Sequence, residues 1–442
     1  MDMLSIVIRD AGGMFRGRHI DRVAPRLQAA VCPARRTPSG SQPPGTRNMS
    51  KPNPINTSAA VDLVTTLMAI PGKSGHEREV AEAITTRLRK AGVPSKAIRH
   101  DTANSRSPAG GEVGNLIVKL PGTIRAPRRL LMAHIDTVPL CVGCRPVRRG
   151  ELIESRDAST ALGGDDRAGA CVVLTSVLEI LKQDLPHPPL TLFFPVQEEI
   201  GLYGARFVSL SSLGKPAMGF NWDGGAPGLA VVGATGDYSI DVVIDGIASH
   251  AGGHPEDGVS AIAVASLAIA DLTENGWHGL IEKGRNRGTS NVGIINAGDA
   301  TNVVTPRLTL KAEARSHDPR FRKRIVAEFK KAFQRAARNV RNSARKTARI
   351  HFDAQLKYEA FMLSENEPCV QTALSAVESV GLEPGVRISN GGLDANWMVA
   401  HGIPTVTLGC GQQDIHTVNE SLHVESYLQA CRIGLQLATA SD

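Results

Sequence analysis

Apolar runs that stop abruptly at polar or acidic residues set the rhythm of the first half of this chain. Residues 59–70 carry helical periodicity and end at Pro71-Gly72. Ser74-Gly75-His76-Glu77 then reads as the cap of a second helix, with Val80, Ala83 and Ile84 on one face. Residues 115–120 are the first core strand, and 130–138, 191–196 and 219–222 are further buried strands. A glycine turn at 163–169 leads into an apolar helix over 170–181. This alternation predicts an α/β fold with a mostly parallel sheet and flanking helices.

Near Ala230 the pattern changes. Residues 238–246, 291–295, 308–314 and 350–358 alternate as strands with one buried face, and 260–272 and 319–346 read as helices. Four strands with two helices predict a small α+β domain inserted into the first. After Ser364 the earlier style returns, with a helix over 370–380, the glycine-rich Asn390-Gly391-Gly392-Leu393-Asp394, a further helix, and a strand at 404–409. The expected division is a tail over 1–56, a main domain from 57–228 and 360–442, and an insertion over 229–359.

Length and composition suit a globular chain of more than one domain: 442 residues, 42% hydrophobic. No apolar run reaches the ~18 residues of a membrane span, so no membrane association is expected. The net charge of +7 suggests nucleic acid, but most of it lies at one end. Residues 1–57 hold nine Lys/Arg against three Asp/Glu, and the remainder holds 41 against 40. Mixed with Pro, Gly and Ser, that tail reads as disordered, as a targeting segment, or as sequence ahead of a true start at Met49. The helix over 319–346 is also basic, through Arg320, Arg322, Lys323, Arg324, Lys330, Lys331, Arg335, Arg338 and Arg341. Apolar residues recur on its other side, so a solvated face explains it without nucleic acid. Seven scattered cysteines form no disulfide framework, and a reducing cytoplasm is the expected location. Cys141-Val142-Gly143-Cys144 has no second pair to complete a metal site and reads as packed thiols.

The chemistry gathers where the buried strands end. His134-Ile135-Asp136 closes one strand, and period-two geometry puts both side chains on one face. Asp165-Asp166 sits in the glycine turn, Gln197-Glu198-Glu199 follows the next strand, and Trp222-Asp223 closes another. Taken singly these are a structural histidine, a helix cap and a solvated acidic pair. Together they bring carboxylates to the ends of apolar strands, which is costly without a cation. One His and several carboxylates form the ligand set of a hydrolytic metal centre.

These motifs resemble the zinc exopeptidase family of peptidase T, the glutamate carboxypeptidases, succinyl-diaminopimelate desuccinylase and acetylornithine deacetylase. The fingerprints are His134-Ile135-Asp136, Gly164-Asp165-Asp166-Arg167-Ala168-Gly169 and Glu198-Glu199-Ile200-Gly201. The stretch from Asp157 to Asp166 is nearest in wording to the peptidase T (tripeptide aminopeptidase) branch. The resemblance implies two zinc ions, with cobalt or manganese as substitutes. It places His134 and Asp223 on one, Glu199 and His416 on the other, and Asp165 between them. Glu198 becomes the general base and Asp136 the partner that fixes the His134 tautomer. In the insertion, the resemblance implies that His250 reaches the oxyanion, across a dimer interface, and that Asn302 and Arg315 hold a substrate carboxylate. It also implies a homodimer through the inserted domain. Three positions depart from the family pattern: Leu393 separates Gly392 from Asp394, Arg167 stands where Lys is frequent, and His254 where an acid is common.

The expected function is therefore zinc-dependent release of an amino-terminal residue from short peptides. Carboxypeptidase or N-acyl-amino-acid deacylase activity would need the same centre. A non-catalytic peptide-binding protein is a more distant reading.

Overall fold

Four strands form the parallel heart of a nine-stranded sheet: Leu190–Phe194, Arg129–Met132, Met218–Trp222 and Thr405–Leu408, side by side in that order. This computed structural model describes residues 54–439, so the expectation for the tail up to residue 53 lies outside the described residues. Every residue of the four strands is buried. Leu131, Leu192 and Phe220 face a core shared with the helices Gly164–Gln183 and Val424–Thr439. Leu130, Met132 and Phe193 face a smaller core with Met398 of the helix Asp394–Ala400. Covered on both faces, these strands read as continuous apolar runs.

Both flanks join the parallel core through antiparallel pairs, and on one of them Gly385–Ser389 then pairs parallel with Leu229–Ala234. Leu116–Leu120 pairs antiparallel with Leu190–Phe194 and does not extend the parallel order. Only a loop separates it from Arg129–Met132, and a parallel connection needs a crossover, usually a helix. Leu229–Ala234, in the stretch assigned above to the insertion, pairs with Thr405–Leu408 in this sheet. Its residues are almost all buried, whereas one-sided alternation begins only at Gly236.

The second sheet is antiparallel throughout, in the order Gly279–Lys283, Asn286–Ala297, Arg307–Ser316, Gly236–Asp245, Arg349–Tyr358. It has five strands where four are expected, since the Gly279–Lys283 hairpin arm has one buried position and shows no alternation in the sequence. The helices Ala261–Glu274 and Pro319–Asn339 enclose a core of Ile240, Val242, Leu310, Phe329 and Phe333. The second helix stops at Asn339 and not near Lys346, since Val340 is extended and Asn342 and Ser343 bond back to Asp257. Its basic face holds one exception: Arg322 is fully buried, donates to the Ser316 carbonyl and pairs with Glu359.

A small third sheet joins Pro146–Arg149, Leu152–Ser155, Ser421–His423 and Gln412–Gln413. It draws the loop over 414–420 toward the start of the helix Gly164–Gln183. Among the described residues no helix is long and apolar enough to cross a membrane.

Candidate functional site

The carboxyl ends of the parallel strands share one edge of the sheet, where open α/β sheets bind ligands. Two residues beyond Met132 stands His134, and one beyond Trp222 stands Asp223; Glu198 and Glu199 follow Phe194 by a short turn. The Asp165 turn opens the helix Gly164–Gln183, with non-helical φ/ψ at Asp165 and Asp166.

These residues converge. His134 Nε2 lies 3.2 Å from Asp165 Oδ1. Ligand atoms of His134, Asp165 and Glu199 all lie within 4.8 Å of one another. His416 comes from the opposite side, with Nε2 3.1 Å from Asp165 Oδ2 and 2.9 Å from Glu199 Oε2. Its backbone is left-handed, at φ 64°, which turns the ring out of the loop. Asp223 joins through its charge; its amide donates to the Leu408 carbonyl, its side chain makes no hydrogen bond among the described residues, and it is half-buried. Asp136 is fully buried beside His134, whose Nδ1 is 3.2 Å from the Asp136 carbonyl and 3.4 Å from Oδ1. With Nδ1 on Asp136, Nε2 is the nitrogen left to face Asp165.

Electrostatics give the test for a cation. Burial and the charge of Asp165 push the Asp223 carboxyl up to about 7. Glu198 and Asp394 are raised well above the carboxylate range, first by burial and then by neighbouring acids. Burial opposes ionisation of Asp165 too, yet hydrogen bonds from His134 and His416 hold it below its ordinary value. In return Asp165 and Glu199 lift His416 to about 10. Both imidazoles are thus driven toward the cationic form by the carboxylates around them. Asp394 adds a second sign, since both its carboxyl oxygens are buried without a hydrogen bond. An oxygen-rich cluster with two imidazoles fits a divalent cation.

The structure does not bring the three candidates from the second sheet to this cluster. His250 is exposed, and its Nδ1 accepts the Gly252 and Gly253 amides at 3.2 and 2.9 Å, so Nε2 carries the proton. Asn302 is exposed beside it, its carbonyl accepting the Ala251 amide. Arg315 is half-buried at the other end of the sheet, pairs with Glu313 and sits opposite Asp237.

Three acidic residues at the centre are absent from the metal-site candidates that the sequence offers. Glu420 accepts the Gly163 amide at 2.8 Å and the Asp165 amide at 3.0 Å, bolting the His416 loop to the Asp165 turn. Asp394, noted only as part of a glycine-rich loop, faces the field of His134, Asp136 and Asp223. In the sequence Glu77 reads as part of a helix cap, yet its helix Arg78–Lys90 has no side-chain cap. Ser74 is likewise no cap, since its hydroxyl donates to Asp136 Oδ2 at 2.6 Å. Cys141 and Cys144 are buried and free.

The description "Peptidase family M20/M25/M40" matches residues 130–440. The uncharacterized protein YqjE of Bacillus subtilis is 30% identical over 380 residues, which span 86% of this chain and 97% of that protein. A tripeptidase from Staphylococcus aureus superposes with a TM-score of 0.77 at 29% identity, covering 87% of this chain and 98% of the other. The aminopeptidase PepT from Bacillus cereus gives 0.73 at 30% identity, with the same coverage.

Proposed function

Because this chain belongs to peptidase family M20/M25/M40, we propose that its centre binds two zinc ions and releases amino-terminal residues from short peptides, tripeptides above all. The observation that carries the reading is the convergence of His134, Asp165, Glu199 and His416. The near-full-length likeness to a tripeptidase and to an aminopeptidase supports the substrate class.

His134 and Asp223 would hold one ion, Glu199 and His416 the other, with Asp165 between them; cobalt or manganese could substitute. The ions, when bound, would acidify a water and polarise the scissile carbonyl. Glu198 leaves the strand end beside Glu199 and, with its proton affinity raised by burial, takes the water's proton and returns it to the leaving amine. Asp136 fixes the His134 tautomer. The five-stranded sheet with its two helices acts as a lid and joins two copies of the chain. From that position His250 offers its Nε2–H to the oxyanion in the partner's cleft, and Asn302 and Arg315, at opposite ends of the sheet, reach the substrate carboxylate from the two subunits. The six cysteines among the described residues are free and buried, which fits a cytoplasmic location.

The test is a panel of di- and tripeptides, N-acetyl amino acids and C-terminal glutamyl peptides, run with zinc, with chelator and beside Glu198→Ala. Chelator-sensitive tripeptide cleavage, absent in Glu198→Ala although metal still binds, is the expected result. Turnover of acylated amino acids alone would move the activity to a deacylase. No turnover with metal fully loaded would leave a binding protein.

A further inference from the structure

Three consecutive backbone amides at the turn bearing Glu198 are held by two carboxylates from distant parts of the chain. The Gln197 amide donates to Glu77 Oε1 at 3.2 Å. The Glu198 and Glu199 amides donate to Asp136 Oδ1 and Oδ2 at 2.9 and 3.2 Å. Gln197 itself is in the left-handed region, at φ 58°, a conformation that persists in a non-glycine residue only when its surroundings over-determine it. They do. Ser107 Oγ donates to Gln197 Oε1 at 2.5 Å, and Gln197 Nε2 donates to the Gly110 carbonyl. Gly111 has φ +128°, a conformation that L side chains rarely adopt, and a Cβ there would meet Gln197 Nε2.

Glu77 is the member of this array that no role explains. It is fully buried, and its Oε1 also takes the Gly75 amide at 2.6 Å. It does not cap the helix that it precedes. Burying a carboxylate costs several kcal/mol unless it is compensated. Those two amides and the buried Arg167, whose guanidinium bonds the Leu67 and Gly72 carbonyls beneath the same loop, offset only part of that cost: burial and the charge of Asp136 still push the Glu77 carboxyl up to about 7, and its Oε2 has no hydrogen bond among the described residues.

We propose that Glu77 is a positioning residue: by fixing the Gln197 backbone it sets, together with Asp136, the direction in which the Glu198 and Glu199 side chains leave the strand end. The inference rests on the reading of Glu198 as general base and Glu199 as ligand. Glu77 touches neither substrate nor ion. It acts through two peptide units, and a misplacement of the base by about 1 Å costs on the order of 100-fold in rate.

Two conservative variants separate reach from charge. Glu77→Gln keeps an acceptor at the same reach and loses the charge; Glu77→Asp keeps the charge and withdraws the acceptor from the Gln197 amide. Each would be compared with the wild type for kcat and KM on a tripeptide, zinc affinity by titration calorimetry, and hydrogen exchange of the 197–199 amides. Glu77→Asp is expected to lose about 10- to 100-fold in kcat at nearly constant KM, and a similar factor in affinity for one zinc equivalent. Its Gln197 amide should exchange faster. Glu77→Gln should stay within about threefold of the wild type, because the hydrogen bonds remain. Equal losses in both variants would make the charge the cause, and no loss in either would remove any role; both results overturn the proposal. A rise in KM at constant kcat would overturn it as well. If the wild type cleaves no peptide, the functional reading fails, while exchange and zinc affinity in Glu77→Asp still decide the positioning role.

Discussion

Asp394 sharpens what a cation-binding centre costs the protein that carries it. Its carboxyl is buried at the start of the helix Asp394–Ala400, has no hydrogen bond among the described residues, and is held well above its ordinary value by burial and by Asp136 and Asp223, against the pull of His134. A carboxyl whose folded-state proton affinity exceeds its unfolded one destabilises the fold progressively as pH rises above its ordinary value of 3.8. Asp394→Asn removes that slope. In chelator the variant should therefore be more stable than the wild type by on the order of 1–3 kcal/mol at neutral pH, with the advantage shrinking toward pH 4. With zinc bound the advantage should narrow or reverse, since the ions favour the carboxylate. Thermal unfolding across pH, with and without metal, checks both signs; a difference independent of pH would refute the account. The contrast with His134 and Asp165 shows what the sequence makes legible. His134 could be placed because strand periodicity fixes its direction, and Asp165 because the motif Gly164-Asp165-Asp166-Arg167-Ala168-Gly169 resembles a family fingerprint. Asp394, Glu420 and Glu77 could not, because each acquires its function from a partner far away in the chain: the field of His134, the amides of Gly163 and Asp165, and the amide of Gln197.

At the scale of elements, the two chain crossings between the sheets are tied by one side chain. Asn396 donates through Nδ2 to the Thr235 carbonyl at 2.9 Å and the Glu359 carbonyl at 2.7 Å, and accepts the Leu393 amide at 2.9 Å. Thr235 precedes the strand Gly236–Asp245 and Glu359 follows Arg349–Tyr358, so both lines of entry to the second sheet meet at this helix. Asn396→Ala leaves two carbonyls and one amide without these partners and should cost about 2–4 kcal/mol in urea unfolding. It should also speed proteolysis near 235 and 359; unchanged cleavage there would show that the crossings hold without the clasp. The lone buried cation of the basic helix, Arg322, reinforces the same place through Ser316 and Glu359. The helices and strands themselves were largely readable, because their periods are local properties. Direction and sheet membership were not: Leu116–Leu120 and Leu229–Ala234 are apolar runs whose pairing is settled by loop length and by neighbours, and the Gly279–Lys283 arm hides its single buried residue, Ile281, among charges and glycines.

For the whole molecule, the second sheet raises the question of assembly. Gly279–Lys283 covers its neighbour only as far as Ser290, so among the described residues Asn291–Ala297 has no strand on that side. This open stretch exposes Ile294 and Ile295, and Ile262 and Leu267 are exposed on the helix Ala261–Glu274. Ile262 lies near Gly298, just past the end of the open strand. Residues 291–297 carry no Lys or Pro, and although the ladder bulges between Val292 and Ile294 and the Val292 amide donates to His278 Nε2, the edge beyond them invites pairing with a second copy. Ile294→Glu combined with Ile295→Glu should shift a dimer to monomer in light scattering. If His250 serves the partner's cleft, the same variant should lose most of its turnover while retaining its zinc. Trans action has a sharper consequence. His250→Ala and Glu198→Ala homodimers should each be nearly inactive, since each lacks one essential group at both sites. Dissociated and mixed, half of the dimers become hybrids, and each hybrid unites an intact Glu198 on one subunit with an intact His250 from the other. One of its two sites is then complete, so the mixture should recover about a quarter of wild-type activity. Were His250 to act within its own subunit, no site in any hybrid would hold both groups, and mixing would restore nothing.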